Sequence, residues 1–171
     1  MSLTIFYQWG VVTVKLLLCC VLLIPTVLAP IGRPPSPTVR LVLSEKDLLC
    51  LATNAYHEAR GEPKEGILGV IAVSMNRMMH PKFPSGACAV VHQKRGGVCQ
   101  FSWYCDERIK PPSPSALARF KALAMEYNYR LHADPTNGAI YFHTLSVKPY
   151  WSRKATPQVV LNNHVFFKDL K

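Results

Sequence analysis

Asn54-Ala55-Tyr56-His57-Glu58-Ala59-Arg60-Gly61-Glu62 is the stretch on which the reading of this chain turns. Extended upstream, its apolar residues recur at helical spacing and put Leu48, Leu51, Ala52, Ala55 and Ala59 on one face. Ser44 with Asp47 three residues on resembles a capping box, so the pattern predicts a helix over 45–59. Gly61 stands where a helix stops most easily, in the left-handed conformation of a C-terminal cap. Within that helix Glu58 lies beside Leu51, Asn54 and Ala55, on the margin of the apolar face rather than opposite it. A carboxyl held there is partly desolvated, which raises its pKa and keeps it protonated more of the time near neutral pH. A general acid needs that state. An isolated Glu near a helix end is ordinarily a solvated carboxylate, however, and the macrodipole disfavours negative charge there, so position alone does not assign Glu58 a role.

Four segments in order add weight: Tyr56-His57-Glu58-Ala59-Arg60-Gly61-Glu62-Pro63, Met75-Asn76-Arg77, Cys99-Gln100-Phe101-Ser102-Trp103 and Gly138-Ala139-Ile140-Tyr141-Phe142-His143. Together they resemble the successive motifs of the SleB-type cell wall hydrolases, the family of spore-cortex-lytic enzymes and related bacterial and phage lysins. The similarity runs from about Asp47 to Phe167. It implies a lysozyme-like fold and catalysis like that of single-glutamate lytic transglycosylases acting on peptidoglycan glycan strands, with no cofactor and no metal. On the family pattern Glu58 is the catalytic acid. Gln100 and Ser102 then hydrogen-bond sugar hydroxyls and acetamides, Trp103 or Tyr104 stacks on a pyranose face, and Tyr141 and His143 orient substrate or Glu58. Simple strand packing is the competing reading of the last two. The Asn76-Arg77 pair is a family motif for which packing or capping is the expected role here.

At 171 residues the chain is long enough for one domain with a real core, and its apolar content is that of a globular protein. The net charge is +10, or +9 without residues 1–29, whose one charged side chain is Lys15. That balance favours an acidic polymer as partner. Nucleic acid is the usual choice, but no RNA-binding aromatic motif, zinc-finger spacing or basic helix is visible. Anionic envelope polymers fit the charge equally well.

Residues 1–29 contain Lys15 followed by an apolar run from Leu16 to Ala29, broken by Pro25. The run is short for a membrane span and reads as a secretory signal ending at Ala29. Pro30 is a poor residue to follow such a cut, so an uncleaved anchor, with membrane association through residues 1–29, stays open. Leu17-Leu18-Cys19-Cys20 lacks the small residue expected before a lipoprotein cysteine. Residues 30–43, with Pro30, Pro34, Pro35 and Pro37, read as an extended linker, and 44–171 as the catalytic domain. Cys50, Cys88, Cys99 and Cys105 remain, and export makes one or two disulfides the expectation. One bridge among Cys88, Cys99 and Cys105 is predicted, with a buried free thiol as the plain reading of Cys50.

Pro63 opens a second helix over about 64–79, apolar nearly all round and therefore central, ended before Pro81. Ala87–His92 is a short apolar piece, and Lys94-Arg95-Gly96-Gly97 reads as a mobile loop. A third helix follows to about Leu131, burying Leu117, Phe120, Leu123, Ala124 and Tyr127. Asp134–Gly138 is a turn, 139–143 a short strand with Tyr141 and His143 on one face, and Asn162-Asn163 a hairpin turn between 158–161 and 164–167. The fold class is α+β, mainly helical with a small sheet.

Cleaving a glycosidic bond requires a proton at the leaving oxygen and stabilisation of an oxocarbenium-like centre. Glu62, Glu65, Asp106 and Asp134 are the possible second carboxylates, and none has the sequence context of a nucleophile. His57-Glu58 begins a zincin-like pattern, but position 61 is Gly, so the second ligand is missing. His92, His143 and His164 are scattered, and no Gly-x-Ser-x-Gly elbow is present. The sequence therefore points to an exported peptidoglycan glycosidase, a cell wall enzyme or phage endolysin. An amidase or endopeptidase, or a basic wall-binding domain without activity, are the rivals.

Overall fold

Ser44 begins the first helix as its sequence predicts. Its hydroxyl accepts from the Asp47 amide (3.1 Å), and the Asp47 carboxylate accepts in return from the Ser44 amide (3.2 Å), closing the capping box of α1, Glu45–Ala59. The computed structural model describes residues 42–130 and 133–168, all within one compact unit. The signal or anchor expected over 1–29, and the linker up to residue 41, lie outside the described residues; Leu43, at the linker's end, packs against the core. Among the described residues no helix is long and apolar enough to cross a membrane.

The predicted face of α1 is buried throughout, and it meets α2 (Lys64–Met79), the short α3 (Ala87–Val91) and α4 (Pro114–Arg130). α2 is the central helix: Ile67, Val70, Ile71, Ala72 and Val73 are all but inaccessible. Each large side chain so buried contributes about 1.5–3 kcal/mol relative to exposure. Gly61 does not form the left-handed cap expected of it. Arg60 stays helical (φ −61°), the Glu62 amide donates to the Ala59 carbonyl (3.0 Å), and the chain turns at once into Pro63, which is the N-cap of α2 rather than its first residue.

Among the described residues there are two disulfides, Cys50–Cys88 and Cys99–Cys105. The second is the bridge predicted among the three loop cysteines. The first corrects the free-thiol reading of Cys50, because the packing of α3 on α1 brings Cys88 to it across 38 residues. Closing a loop of that length contributes ~4 kcal/mol through the unfolded chain.

Lys94–Gly97 is not a loop but part of a tight hairpin, β1 (Lys94–Arg95) and β2 (Val98–Cys99). Gly96 and Gly97 both take positive φ (56° and 79°), which two consecutive glycines adopt without a Cβ penalty. The main sheet is antiparallel, in the order β3-β5-β4, from β3 (Tyr141–Thr144), β4 (Pro157–Leu161) and β5 (His164–Phe167). Asn162 (φ 51°) makes the two-residue β4–β5 turn that Asn162-Asn163 predicted. Phe166 seats the sheet on α2 at Gly69, where a Cβ would come within 2.7 Å of the ring. Asn76 ties the preceding turn to the same helix, donating to Asp134 (2.7 Å) and to the Ala139 carbonyl (3.0 Å). That is the structural role expected of the motif's asparagine.

Candidate active site

Glu58 sits on the last turn of α1. One turn earlier, Asn54 is buried and spends its amide on two other elements: it donates to Ser74 Oγ on α2 (3.1 Å) and accepts from Trp103 Nε1 (2.9 Å). The Ser74 hydroxyl passes its own proton to the Val70 carbonyl (3.2 Å). His57 stacks on the Trp103 indole, centroids 4.5 Å apart. The 3₁₀ turn Ser102–Cys105 is thereby fixed against α1 at Asn54 and His57, and the Cys99–Cys105 bridge closes the same segment.

The Glu58 carboxyl is half-buried and has no hydrogen-bond partner among the described residues. Burial pushes its pKa from 4.5 to about 7, against the opposing pull of the Arg77 charge. Arg77, on α2, is 5% exposed. Its Nε donates to the Ile140 carbonyl (2.7 Å), and its guanidinium lies against the rings of Phe83, Phe101 and Tyr141 at 5.0, 5.1 and 5.7 Å. Burial brings the guanidinium down to about 10, with Tyr141 and Glu58 opposing.

Arg77 also lines a groove of about 520 Å³. Val98, Cys99 and Gln100, then Tyr141, Phe142 and His143 of β3, and Pro149 and Trp151 also line it. Trp151 belongs to a 3₁₀ turn, Tyr150–Lys154, and packs against Phe167, His143 and Tyr141 at 5.4, 5.5 and 5.8 Å. His143 Nδ1 donates to the Thr144 carbonyl (2.9 Å), which leaves Nε2 of the neutral ring as an acceptor. Of the residues predicted to meet substrate, Gln100, Tyr141 and His143 converge on this groove. Ser102 is exposed outside its lining, and the Trp103 indole is committed to Asn54 and His57. Glu58 does not itself line the groove; Arg77, which does, is the charge it feels.

Among the groove residues that the sequence does not mark as substrate contacts, Arg77 and Trp151 are the ones with a chemical part to play. The sequence pattern gives Arg77 a packing or capping role, yet a cation in the interior of a mostly apolar helix is a signal of its own. Trp151 lies in a stretch without periodicity, where only the aromatic after Pro149 marks it. The remaining carboxylates have other partners or open exposure: Glu62 accepts from the Asn163 amide (3.1 Å), Asp134 from Thr136 and Gly138 in its own turn, Asp106 from Arg108, and Glu65 is exposed. Among the described residues no three His, Cys, Asp or Glu side chains converge to hold a metal. His92 stacks on Tyr104 (4.1 Å) and His164 is buried in β5.

The profile of the cell wall hydrolase family matches residues 61–167. The spore cortex-lytic enzyme of Oceanobacillus iheyensis is 31% identical over 140 residues, 80% of this chain and 47% of that protein. That of Bacillus subtilis is 31% identical over 127 residues, 72% of this chain and 38% of its relative. The chain thus spans about half or less of the length of these curated relatives. The crystal structure of the Bacillus cereus SleB catalytic domain superposes with a TM-score of 0.59 at 26% identity, covering 74% of this chain and 92% of that domain. The catalytic domain of the germination-specific lytic transglycosylase SleB from Bacillus anthracis gives 0.60 at 26% identity, covering 74% and 98%. This chain belongs to the cell wall hydrolase family, and its domain is the lysozyme-like α+β fold of the SleB catalytic domains.

Proposed function

We propose that the protein cleaves the bond between N-acetylmuramic acid and N-acetylglucosamine in peptidoglycan, as a lytic transglycosylase with Glu58 as acid and then base. The observation that carries this reading is the Glu58 carboxyl itself, held near pKa 7 by burial at the end of α1, so that it is protonated and ionised in comparable amounts at neutral pH. The likeness to the Bacillus anthracis domain, a germination-specific lytic transglycosylase, supports it.

In the first step the Glu58 proton moves to the bridging oxygen, and the bond from that oxygen to the muramyl anomeric carbon breaks. The Glu58 carboxylate then takes the proton of the muramyl 6-hydroxyl as that oxygen bonds to the anomeric carbon, giving a 1,6-anhydro end. The attacking oxygen comes from the sugar, so no second carboxylate is needed to activate water. Gln100 offers both an amide donor and an acceptor to hydroxyls and acetamides, His143 Nε2 an acceptor, and Tyr141 and Trp151 apolar faces for the pyranose rings. Such chemistry acts on the envelope outside the membrane, with residues 1–29 as signal or anchor.

Mass spectrometry of peptidoglycan digests tests the proposal. Anhydromuropeptides released by the native chain and absent with Glu58→Gln are the expected result. Freed stem peptides point instead to an amidase or endopeptidase, and an absence of products to a wall-binding domain; either overturns the proposal.

A further inference from the structure

The groove that Arg77 lines holds a cation and no acid: among the described residues around it Arg77 alone carries a permanent charge, and none is Asp or Glu. That side chain is 5% exposed and takes part in no salt bridge among the described residues. Its Nε donates to the Ile140 carbonyl (2.7 Å), and Nη1 is sealed without a partner. Nη2 donates to no described residue and is not sealed, so it is the nitrogen that can meet a ligand in the groove. The rings of Phe83, Phe101 and Tyr141 hold the guanidinium in place without matching its charge. Arg95 lies over the same Phe83 ring (5.4 Å), so the charge added beside it is also positive. Burying an unmatched cation is costly, and an anion brought by a ligand removes that cost. Gln100 lines the same groove, and no described residue hydrogen-bonds its side chain. Its amide is a second donor, and a carboxylate has two oxygens with which to accept from both.

We propose that Arg77 makes this groove a carboxylate subsite: its guanidinium recognises an acid group carried by the muramyl unit, and so distinguishes a muramyl strand from a neutral polymer of N-acetylglucosamine. The inference rests on the groove as the place where the glycan of the proposed function lies. In such a strand the glucosamine rings carry no acid. The muramyl rings carry a lactyl group, whose carboxyl is free where the stem peptide is missing, and the stem peptides have carboxylates of their own. Either source presents the same chemistry to Arg77. Tyr141 packs against both the guanidinium (5.7 Å) and the Trp151 ring (5.8 Å), so the cation neighbours the aromatic faces proposed for the sugar rings.

The test is glycan binding to the Glu58→Gln chain, which the proposed function leaves able to bind but not to cut, measured by calorimetry. A salt concentration of about 0.15 M screens attraction to the overall positive charge of the chain. The probes are two pairs of tetrasaccharides of alternating N-acetylglucosamine and N-acetylmuramic acid: free lactyl carboxylates against their methyl esters, and stem-peptide carboxylates against their amides. Chitotetraose is the glycan without muramyl groups. In at least one pair the acid form is expected to bind about tenfold or more tighter than its neutral form and than chitotetraose. The pair that shows the difference identifies the source, lactyl or stem. Adding Arg77→Met is expected to equalise acid and neutral forms, and Arg77→Lys to keep part of the preference. The comparison of ligands needs no Arg77 variant, so it stands even if Arg77→Met does not fold. Equal binding of acid and neutral forms in both pairs, as a purely structural arginine predicts, overturns the inference, and so does a preference that survives Arg77→Met. Glycans that bind without regard to charge remove the role of Arg77 and leave the proposed function standing. A chain that binds none of them removes the groove as the glycan site, and cleavage by Glu58→Gln removes the proposed function.

Discussion

Glu58→Gln is expected to stabilise the fold above neutral pH while abolishing cleavage. The carboxyl binds its proton more tightly folded than unfolded, with midpoints at about 7 and 4.5. Its favourable contribution is therefore fully present below pH 4.5 and is lost as pH rises through about 7. At about 1.4 kcal/mol per pH unit, the ionised carboxyl costs the native state about 2–3 kcal/mol above pH 7, allowing for its residual contact with solvent. Gln is a neutral isostere of the protonated acid and carries no such penalty; removing negative charge from the end of α1 also relieves the helix dipole. Urea denaturation of both proteins at pH 5 and pH 8.5, followed by tryptophan fluorescence, reads the difference directly. The expected outcome is near-equality at pH 5, within about 1 kcal/mol, and a more stable variant by about 2–3 kcal/mol at pH 8.5. His57 and His92, whose pKa values burial lowers, titrate alike in both proteins and cancel. A stability difference that is the same at both pH values would refute the claim that the Glu58 carboxyl is desolvated in the native state.

Other parts of the site give separate expectations. Cleavage by the native chain should fall as pH rises beyond about 7, following loss of the Glu58 proton; a rate flat to pH 9 argues against an acid with that midpoint. Asn54→Ala leaves the Trp103 N–H and the Ser74 hydroxyl without their partner, at a cost of about 1–3 kcal/mol in denaturation, and should shift Trp103 emission toward that of a wetter indole. Trp151→Ala removes an aromatic wall of the groove and should raise KM for glycan strands about tenfold, on the order of 1–2 kcal/mol of stacking, with Trp151→Phe recovering most of it. Cys50→Ser with Cys88→Ser should lower stability by up to ~4 kcal/mol without changing the products formed, which thermal and product measurements check together.

Local signals were legible in the sequence, and long-range ones were not. The bounds of α1 and α2 follow from a capping box, two prolines and helical spacing, all of which act within a few residues. The β4–β5 turn was readable because Asn tolerates a left-handed backbone. The margin position of Glu58 followed from the face it shares with Leu51 and Ala55, and the structure bears out its desolvation. Four motifs in order carried the family before any fold was known. Cys50–Cys88, in contrast, depends on how α3 docks on α1, which no local pattern encodes. The Gly96-Gly97 hairpin was read as mobile because two glycines signal flexibility as readily as a tight turn. Arg77 and Trp151 gain their meaning from neighbours 63 and 16 residues away respectively, through Ile140 and through Phe167. Spacing along the chain carries no trace of either contact.

The central claim is that one carboxyl, first as acid and then as base, delivers a sugar hydroxyl rather than water to the anomeric carbon. Digestion of purified peptidoglycan in water enriched in heavy oxygen measures this in the products. The account predicts 1,6-anhydromuramyl ends that carry no heavy oxygen, produced by the native chain and not by Glu58→Gln. Reducing muramyl ends labelled with heavy oxygen, or unlabelled anhydro ends persisting in the variant, contradict it.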